Sequence, residues 1–418
     1  MRVCLLTPGQ PSSNPRLVKE ADVLSSAGHR VHVICTDSGL WPTKMDRELL
    51  PHKRWTCQYV GGDPIRASFR HRWTRVRYGI ATRTHGVAPT FASLLGTSLL
   101  SRAAPEIAAA VRAYPADLYI AHHATLLPIA AQAAQEVGAY LGYDAEDFYS
   151  GMWPLSERPS PIDELIRDIE RRWLAACDYI TAAAPMIAEE YVRTYGIDLP
   201  KTVLNTFPRG DRPASFRRGD PSQPLRLYWY SQCIGANRGL EDAVHALGRL
   251  SEFQIELHLR GDWQAGYRQR LFELARKCGV ADRIIEHPPD PPNSMAREAS
   301  DYDVGLASEP FFSRNSSLCI SNKIFTYLLA GLAILATRTP AQAEFLSGVG
   351  SAAVLYDSSD VSMLTAKLAE WYLDRKALEF ARWTAWDWGD RRFNWDVEQE
   401  AFLHIVSAAM GDRVESAV

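Results

Sequence analysis

Short apolar runs of β-prone residues alternate with amphipathic helical segments along most of this chain. Residues 2–7 (RVCLLT) and 30–36 (RVHVICT) are two such runs, and a helical segment at residues 16–27 joins them. A strand, a helix and a second strand in this order predict a parallel strand pair with a right-handed crossover. The pattern therefore predicts an α/β fold with parallel sheets.

The alternation occurs in two series. The first continues with strands at residues 117–121, 139–143, 179–183 and 201–205 and helices at 127–137, 162–176 and 186–195. The second has strands at residues 225–230, 254–259, 284–285, 304–307 and 333–336 and helices at 239–250 and 265–278. The stretch between the two series is rich in charged and turn-forming residues, which is typical of a linker. We predict two Rossmann-like domains at residues 1–206 and 225–385, a linker at 207–224, and a C-terminal helix at 386–418 that packs on the first domain.

Composition excludes several classes of protein. Of the 418 residues 46% are hydrophobic and 23% are charged, as in soluble globular proteins, and the net charge of −3 argues against a nucleic-acid partner. No apolar run reaches the roughly 18 residues that a membrane helix needs. The seven cysteines are an odd number and form no CxxC pair. A reduced, cytoplasmic protein without structural zinc is the prediction.

Residues 321–336 read SNKIFTYLLAGLAILA. This segment resembles the donor-site signature of bacterial family 4 glycosyltransferases, NK-x-F-x-Y-x-x-A-G. Four further stretches resemble the same family, in the same order along about 340 residues: 17–33 (LVKEADVLSSAGHRVHV), 117–128 (DLYIAHHATLLP), 143–149 (YDAEDFY) and 230–239 (YSQCIGANRG). The resemblance implies a GT-B fold of two facing domains, a nucleotide-sugar donor, no essential metal, and retention of anomeric configuration.

Positive groups and a helix N-terminus are the candidates for binding the donor diphosphate. Arg238 stands where the family usually has a lysine, and Lys323 lies in the first turn of the helix that Ser321 and Asn322 open. Helix N-termini bind anions through their backbone amides, and arginine can bind phosphate oxygens in a fork. The alternative is a pair of surface charges on an ordinary capped helix.

The sequence departs from the family pattern at two places. Gln232 stands where many members have an arginine, so that positive group is either absent or supplied by another loop, with Arg16 and Arg260 as the candidates. Leu318 and Thr326 stand where the wider family has a Glu-x7-Glu pair whose second member holds the donor ribose. We assign the contacts to the donor sugar or ribose to Thr326, Glu309 and Asn315.

Candidate catalytic residues follow two predicted strands of the first domain. His122 matches the second histidine of the family's H-A-H-D stretch, and Asp144 and Glu146 follow the next strand. A structural histidine and acids that cap a helix are the alternatives. The loop that precedes the first helix offers Gly9 and Arg16 as acceptor-loop residues. It has no GxGxxG pattern, so an ordinary dinucleotide site is not supported.

Residues 66–83 interleave six arginines, from Arg66 to Arg83, with aromatic side chains. This composition is typical of a peripheral contact with an anionic membrane, and a solvated helix face is the alternative. The sequence as a whole favours a retaining glycosyltransferase of surface-glycan or polysaccharide biosynthesis. Its donor is a UDP- or GDP-sugar, bound as substrate without a cofactor, and its acceptor a sugar, a lipid-linked or a small-molecule hydroxyl. Two alternatives stay open: a catalytically degenerate GT-B protein that binds a partner, and a sugar-nucleotide epimerase.

Overall fold

The computed structural model describes residues 1–37, 39–66, 68–85 and 97–416. The chain divides into two compact units. Unit 1 comprises residues 1–203, 313–315 and 399–418, and unit 2 comprises residues 204–312 and 316–398. Residues 207–224, predicted as a linker, thus lie in unit 2, and the predicted domain boundaries stay predictions.

Unit 1 contains a seven-stranded sheet in the order β3-β2-β1-β4-β5-β6-β7, with every strand pairing parallel. Its strands are β1 (Arg2–Leu6), β2 (Arg30–Thr36), β3 (Thr56–Val60), β4 (Leu118–Ala121), β5 (Tyr140–Ala145), β6 (Tyr179–Ala182) and β7 (Lys201–Thr202). The connecting helices are α1 (Pro15–Ser26), α2 (Leu40–Leu49), α3 (Phe69–His85), α4 (Ala104–Ala113), α5 (Leu127–Val137), α6 (Pro161–Trp173) and α7 (Pro185–Tyr195).

Unit 2 contains a six-stranded parallel sheet in the order β10-β9-β8-β11-β12-β13. Its strands are β8 (Leu225–Ile234), β9 (Ile255–Trp263), β10 (Ile284–His287), β11 (Val304–Ala307), β12 (Ala333–Thr337) and β13 (Ala353–Tyr356). The helices that follow unit 1's are α8 (Leu240–Arg249), α9 (Tyr267–Lys277), α10 (Met295–Ala299), α11 (Arg314–Leu318), α12 (Asn322–Ala330), α13 (Pro340–Ser347), α14 (Val361–Leu373), α15 (Arg375–Arg391) and α16 (Trp395–Ser416). The division between the units passes through α11 and α16.

The central strands are buried on both faces because helices cover both sides of each sheet. β4, β11 and β12 are buried along their whole length, which explains why they appear in the sequence as continuous apolar runs. The predicted α/β class with two parallel sheets is confirmed. β8 was predicted to end at Tyr230 but continues to Ile234 through an irregularity between Tyr230 and Cys233. The polar residues at that irregularity interrupt the apolar pattern.

Each sheet has one topological switch point, where consecutive strands are added on opposite sides of the first strand. In unit 1 it lies between β1 and β4, and in unit 2 between β8 and β11. Loops that leave the carboxyl ends of such strands diverge and form a crevice, which is where open α/β sheets bind ligands. The residues of these loops are therefore the place to look for function.

Candidate functional site

The carboxyl edge of the unit 1 sheet carries a cluster of charged side chains that are almost completely buried. His122 directly follows β4, and Asp144 lies near the end of β5. Helix α1, which follows β1, adds Arg16, Lys19 and Glu20. Residues three and four apart lie on the same helix face, so Lys19 and Glu20 lie on the same face of α1 as Arg16. The switch point thus gathers five ionisable groups.

Arg16 and Asp144 form a buried two-pronged ion pair. Nε of Arg16 donates to Oδ2 of Asp144 at 2.6 Å and Nη2 donates to Oδ1 at 2.7 Å. The Thr181 hydroxyl donates to the same Oδ1 at 2.6 Å. Burial would raise the pKa of Asp144, but the charge of Arg16, followed by His122, outweighs it and holds that pKa well below its usual range. The structure brings these two predicted site residues together, and neither side chain reaches solvent.

His122 lies among three carboxylates. Its Nε2 is 3.3 Å from Oε2 of Glu20, and its Nδ1 is 3.3 Å from both Oδ2 of Asp144 and Oε1 of Glu146. Burial alone would lower the pKa of His122, but the charge of Glu20 and the hydrogen bonds to all three carboxylates raise it well above the ordinary value. The three carboxylates thus favour the protonated form of the imidazole. The sequence predicts that His122 faces a ligand, whereas the structure buries it completely.

Lys19 and Glu20 belong to this cluster and were not identified from the sequence. The carboxylate of Glu20 is completely buried, and its charged neighbours are Nε2 of His122 at 3.3 Å and Nε of Arg16 at 3.5 Å. Burial, reinforced by Asp144, raises the pKa of Glu20. Burial also lowers the pKa of Lys19 to about 7. An Arg-x3-Glu spacing was visible in the sequence, but that spacing is equally typical of an exposed helix face.

The same cluster contains the one group of potential metal ligands found among the described residues. Ligand atoms of Glu20, His122 and Asp144 lie within 4.8 Å of one another. Both oxygens of Asp144 are already bound by Arg16, and the guanidinium places a full positive charge beside any incoming cation. The residues therefore fit an internal ion-pair network better than a metal ion, and the prediction of no metal stays a prediction.

Replacement of Glu20 by glutamine is expected to lower the pKa of His122, because Glu20 is the largest single source of its upward shift. A raised pKa in the folded state contributes stability that is fully present below the unfolded pKa and is lost as pH rises through the folded pKa. That loss should therefore begin at lower pH in Glu20→Gln than in the parent chain. Titration of the histidine ring signals by NMR measures the shift. His123 is the internal control, since burial lowers its pKa to about 4 and no carboxylate is among the causes. An unchanged His122 midpoint would contradict the network.

Glu146 is the most accessible of the three predicted catalytic residues, with a quarter of its side chain (24%) exposed. Nδ2 of Asn14 donates to its Oε1 at 2.5 Å, and the His122 imidazole lies against the same oxygen. Asn14 also caps α1 by accepting from the backbone N–H of Leu17 at 3.0 Å. Glu146 is thus held from two sides, and its carboxylate is able to accept a hydrogen bond from a ligand hydroxyl.

Gly9, the other residue predicted for the acceptor loop, lies between β1 and α1. Its carbonyl oxygen accepts from the backbone N–H of Thr36 at 3.1 Å. A Cβ atom at Gly9 would lie 3.0 Å from Oγ of Ser13, so the loop is tightly turned at this point. The loop is therefore fixed to β2, and the role predicted for Gly9 stays a prediction.

In unit 2 the loops after β8 and β11 meet at the switch point. Gly239 has a φ of +69°, and a Cβ atom there would collide with the carbonyl oxygen of Ser308. The Ser308 hydroxyl donates to the carbonyl oxygen of Arg238 at 2.7 Å. Only glycine combines this backbone conformation with so close an approach. The contact positions Arg238 next to the residue that follows Ser308, which is Glu309.

Lys323 and Glu309 form an ion pair at this edge. Lys323 is 8% exposed, and its Nζ lies 5.0 Å from the ring centroid of Trp229. Burial would raise the pKa of Glu309, but Lys323 and, more weakly, Arg238 lower it. Oε2 of Glu309 is buried and has no hydrogen-bond partner among the residues that the structure describes. The pair therefore keeps one unused acceptor.

Arg238 is partly exposed, and its guanidinium forms no hydrogen bond or ion pair within the described residues. Its nearest electrostatic partner is Glu309, whose negative charge is already balanced by Lys323. α12 begins at Asn322 with Ser321 at the N-cap, and no side chain of the described residues caps its first turn. The four predicted diphosphate ligands thus lie around one edge, where Arg238 adds a positive charge that has no ion-pair partner among the described residues.

Thr326 and Asn315 are placed differently from these four residues. Thr326 is fully buried, and its hydroxyl is 2.7 Å from that of Tyr230. Asn315 belongs to unit 1, where its Oδ1 accepts from the backbone N–H of Phe148 at 2.7 Å and its Nδ2 donates to Asp147 at 2.8 Å. In this conformation Oδ1 and Nδ2 of Asn315 and the hydroxyl of Thr326 all form hydrogen bonds within the protein. Their predicted contact with the donor stays a prediction.

The two arginines named as substitutes for the charge missing at Gln232, Arg16 and Arg260, both form internal ion pairs. Arg260 is 6% exposed, forms an ion pair with Asp290, and donates to the Tyr228 hydroxyl at 3.0 Å. Arg16 is bound to Asp144, as described above. Each guanidinium is already paired in its own unit, and the expectation that one of them replaces the missing charge stays a prediction.

The sequence matches no protein-family model and no curated protein sequence. Solved structures do resemble the chain over almost its whole length. Sucrose-phosphate synthase from Thermosynechococcus elongatus has a TM-score of 0.71 at 14% identity, with 99% of this chain and 100% of that chain covered. A glycosyltransferase from Rickettsia africae has a TM-score of 0.67 at 12% identity, with 98% of each chain covered.

A third similar structure is that of HepE from Anabaena in complex with UDP and glucose. Its TM-score is 0.68 at 14% identity, with 98% of this chain and 100% of that chain covered. HepE was also solved with UDP alone and with UDP-glucose. At these identities the likeness establishes the fold. The chain has the two-domain GT-B fold of these proteins, and the predicted fold is confirmed.

Proposed function

We propose that this chain is a glycosyltransferase that moves a sugar from a nucleotide-sugar donor to an acceptor hydroxyl. The observation that carries the proposal is the positive charge of Arg238, which has no ion-pair partner among the described residues and lies beside the Lys323–Glu309 pair at the switch point of unit 2. A group that stays charged and half-buried without a partner is available for an anionic ligand. The GT-B fold supplies the context in which a nucleotide diphosphate is that ligand.

Glycosyl transfer breaks the bond between the sugar C1 and the diphosphate oxygen and forms one between C1 and the acceptor oxygen. The acceptor proton ends on the departing diphosphate or on a protein carboxylate, and Glu146 is the partly exposed carboxylate of the charged cluster in unit 1. Negative charge develops on the leaving diphosphate, and prearranged positive groups stabilise it. Arg238, Lys323 and the first-turn amides of α12 provide that stabilisation from the protein's own atoms. We therefore propose a reaction without an essential metal.

We further propose that the anomeric configuration is retained and that the donor is a UDP- or GDP-sugar. The resemblance of residues 321–336 to the family 4 signature supports retention, and the UDP complexes of HepE support a test of UDP-sugars first. The proposed acceptor is a hydroxyl of a sugar, a lipid-linked carrier or a small molecule. A cytoplasmic role in polysaccharide biosynthesis is consistent with these proposals.

Thermal unfolding with UDP, GDP or ADP tests donor binding. A ligand that binds only the folded state stabilises it by RT ln(1 + [L]/Kd), which is about 2.7 kcal/mol at a hundredfold excess over Kd. We expect one of the three nucleotides to raise the melting temperature of the parent chain by several degrees. Arg276 is an exposed arginine in the last turn of α9, so Arg276→Ala is the matched control for the loss of an arginine away from Arg238. This control should keep the full shift in melting temperature. Absence of a shift with all three nucleotides would contradict the proposal.

Turnover is tested by incubation with a panel of nucleotide sugars, with and without simple sugar acceptors. Release of the nucleoside diphosphate and a new glycosidic product would support the transfer reaction, and the coupling constant of the anomeric proton in NMR would report retention or inversion. Conversion of the donor to its epimer, without diphosphate release, would favour an epimerase instead. Binding without any turnover across the panel would favour a degenerate binding protein.

A further inference from the structure

Helix α3 displays a row of apolar side chains to solvent. Phe69, Trp73, Val76 and Ile80 are 82%, 54%, 53% and 48% exposed. At about 100° per residue their spacing places all four within an arc of roughly 60°. Single exposed apolar residues are common, but a continuous row on one helix face marks an interaction surface.

Arginines border this row on both sides. Arg72 and Arg83 lie on one flank and Arg70 and Arg77 on the other, by the same helical geometry. Between Asp63 and Glu106 the sequence contains seven arginines and no acidic residue. Glu106 pairs with Arg77 at 2.6 Å, and Asp63 is 3.7 Å from Arg66. The remaining positive charge of α3 faces outward, in a chain whose overall net charge is −3.

The opposite face of α3 attaches the helix to unit 1. Thr74 and Ala81 are buried, and Ala81 packs with Leu99 and the partly buried Leu165. Arg102 donates to the Thr74 hydroxyl at 2.9 Å. The apolar row and its arginine borders, which we call the α3 face, therefore point away from the unit's own core. Ala67 of the basic segment lies outside the described residues.

We propose that the α3 face docks unit 1 onto an anionic lipid bilayer as a peripheral contact. An apolar row bordered by arginines lets the aromatic and aliphatic side chains enter the acyl boundary while the guanidinium groups meet lipid phosphates. Each arginine near an anionic surface adds to the attraction, which salt screens. None of the described helices has both the length and the apolar content to cross a bilayer. The contact is thus at the surface.

The apolar row favours a bilayer over a nucleic acid. Arginines alone serve either partner, but Val76 and Ile80 offer no hydrogen bond to a phosphate and no ring for a base to stack on. Transfer of exposed aliphatic and aromatic side chains out of water is favourable only in an apolar environment. Lipid supplies both the phosphate layer and that environment.

Sedimentation of the full chain with vesicles tests this proposal without any nucleotide sugar, so its outcome is independent of the proposed reaction. We expect binding to phosphatidylcholine vesicles that contain a third of phosphatidylglycerol, and at least tenfold weaker binding to pure phosphatidylcholine. Phe69→Ser with Trp73→Ser should reduce the affinity on the order of tenfold or more, and Arg72→Gln with Arg83→Gln by a similar factor.

Two matched controls separate the α3 face from general surface effects. Phe380→Ser with Trp383→Ser removes two exposed aromatic residues from α15, which are 61% and 50% exposed, and Arg171→Gln with Arg172→Gln removes two exposed charges from α6. Both should bind vesicles like the parent chain. Equal binding by all four variants, equal binding to neutral vesicles, or binding to an oligonucleotide but not to vesicles would overturn the proposal.

Discussion

Replacement of Arg238 by alanine is expected to lower kcat/KM for the donor by about 10² to 10³, with little change in the thermal stability of the free protein. Removal of one prearranged donor from a developing anion costs this much in enzymes that stabilise charge electrostatically. Stability should hold because Arg238 makes no hydrogen bond or ion pair within the described chain that could be lost. Steady-state kinetics with the best donor of the panel, together with thermal unfolding, measure both effects.

The controls for Arg238 separate charge from geometry. Arg238→Lys keeps the charge but loses the fork, so we expect an intermediate rate. Arg276→Ala should be indistinguishable from the parent chain, because Arg276 is exposed on α9 and distant in sequence from both switch-point loops. Parent-like kcat/KM in Arg238→Ala would contradict the assignment of Arg238 to the diphosphate.

Replacement of Asp144 by alanine is expected to lower the free energy of unfolding of unit 1 by about 3–5 kcal/mol. The change leaves Arg16 as a buried positive charge without its main partner and removes one of the three carboxylates around His122. A loss of this magnitude is found when one member of a buried pair is removed. The pKa of Asp144 is depressed in the folded state, so the pair contributes stability above about pH 4, the unfolded value, and loses it as pH falls through the folded pKa. The parent chain should therefore show a loss of stability in acid that the variant lacks.

The matched control for Asp144 is Asp168→Ala in α6. Asp168 accepts from Arg171 at 2.7 Å, nearly the same distance as in the buried pair, but the two side chains are 69% and 64% exposed. An exposed pair of this kind contributes less than about 1 kcal/mol. Urea denaturation followed by circular dichroism measures both variants. Similar losses in the two would show that burial does not set the strength of the Arg16–Asp144 pair.

The sequence predicts this fold well because the apolar periodicity of each segment reflects whether it is a helix or a strand and which residues are buried. The β2 run at residues 30–36 and the helix at residues 127–137 have the predicted bounds, since their periodicity is uninterrupted. β8 is longer than predicted because Ser231 and Gln232 break the apolar pattern while the backbone still pairs with β9. Local sequence patterns thus predict which helices and strands exist, whereas hydrogen bonding to a neighbouring strand determines where a strand ends.

The candidate sites are harder to predict from the sequence than the fold is. Arg238, Lys323 and Glu309 follow strands or open a helix, so strand topology alone brings them to one edge. The Arg16–Asp144 pair joins residues 128 positions apart. No local sequence pattern shows that the Asp144 carboxylate is already bound by a guanidinium. The role of Glu20 is not predictable from the sequence for the same reason, because its partner His122 is about 100 residues further along the chain. Burial and long-range charge pairing are properties of the fold, and a sequence pattern does not contain them.

A crystal structure of the chain grown with UDP or GDP tests the central claim most directly. The account predicts that the diphosphate lies at the switch point of unit 2, with its oxygens within about 3 Å of the Arg238 guanidinium and the Lys323 ammonium. A diphosphate bound elsewhere, with Arg238 still unpaired and Lys323 still bound only to Glu309, would contradict it.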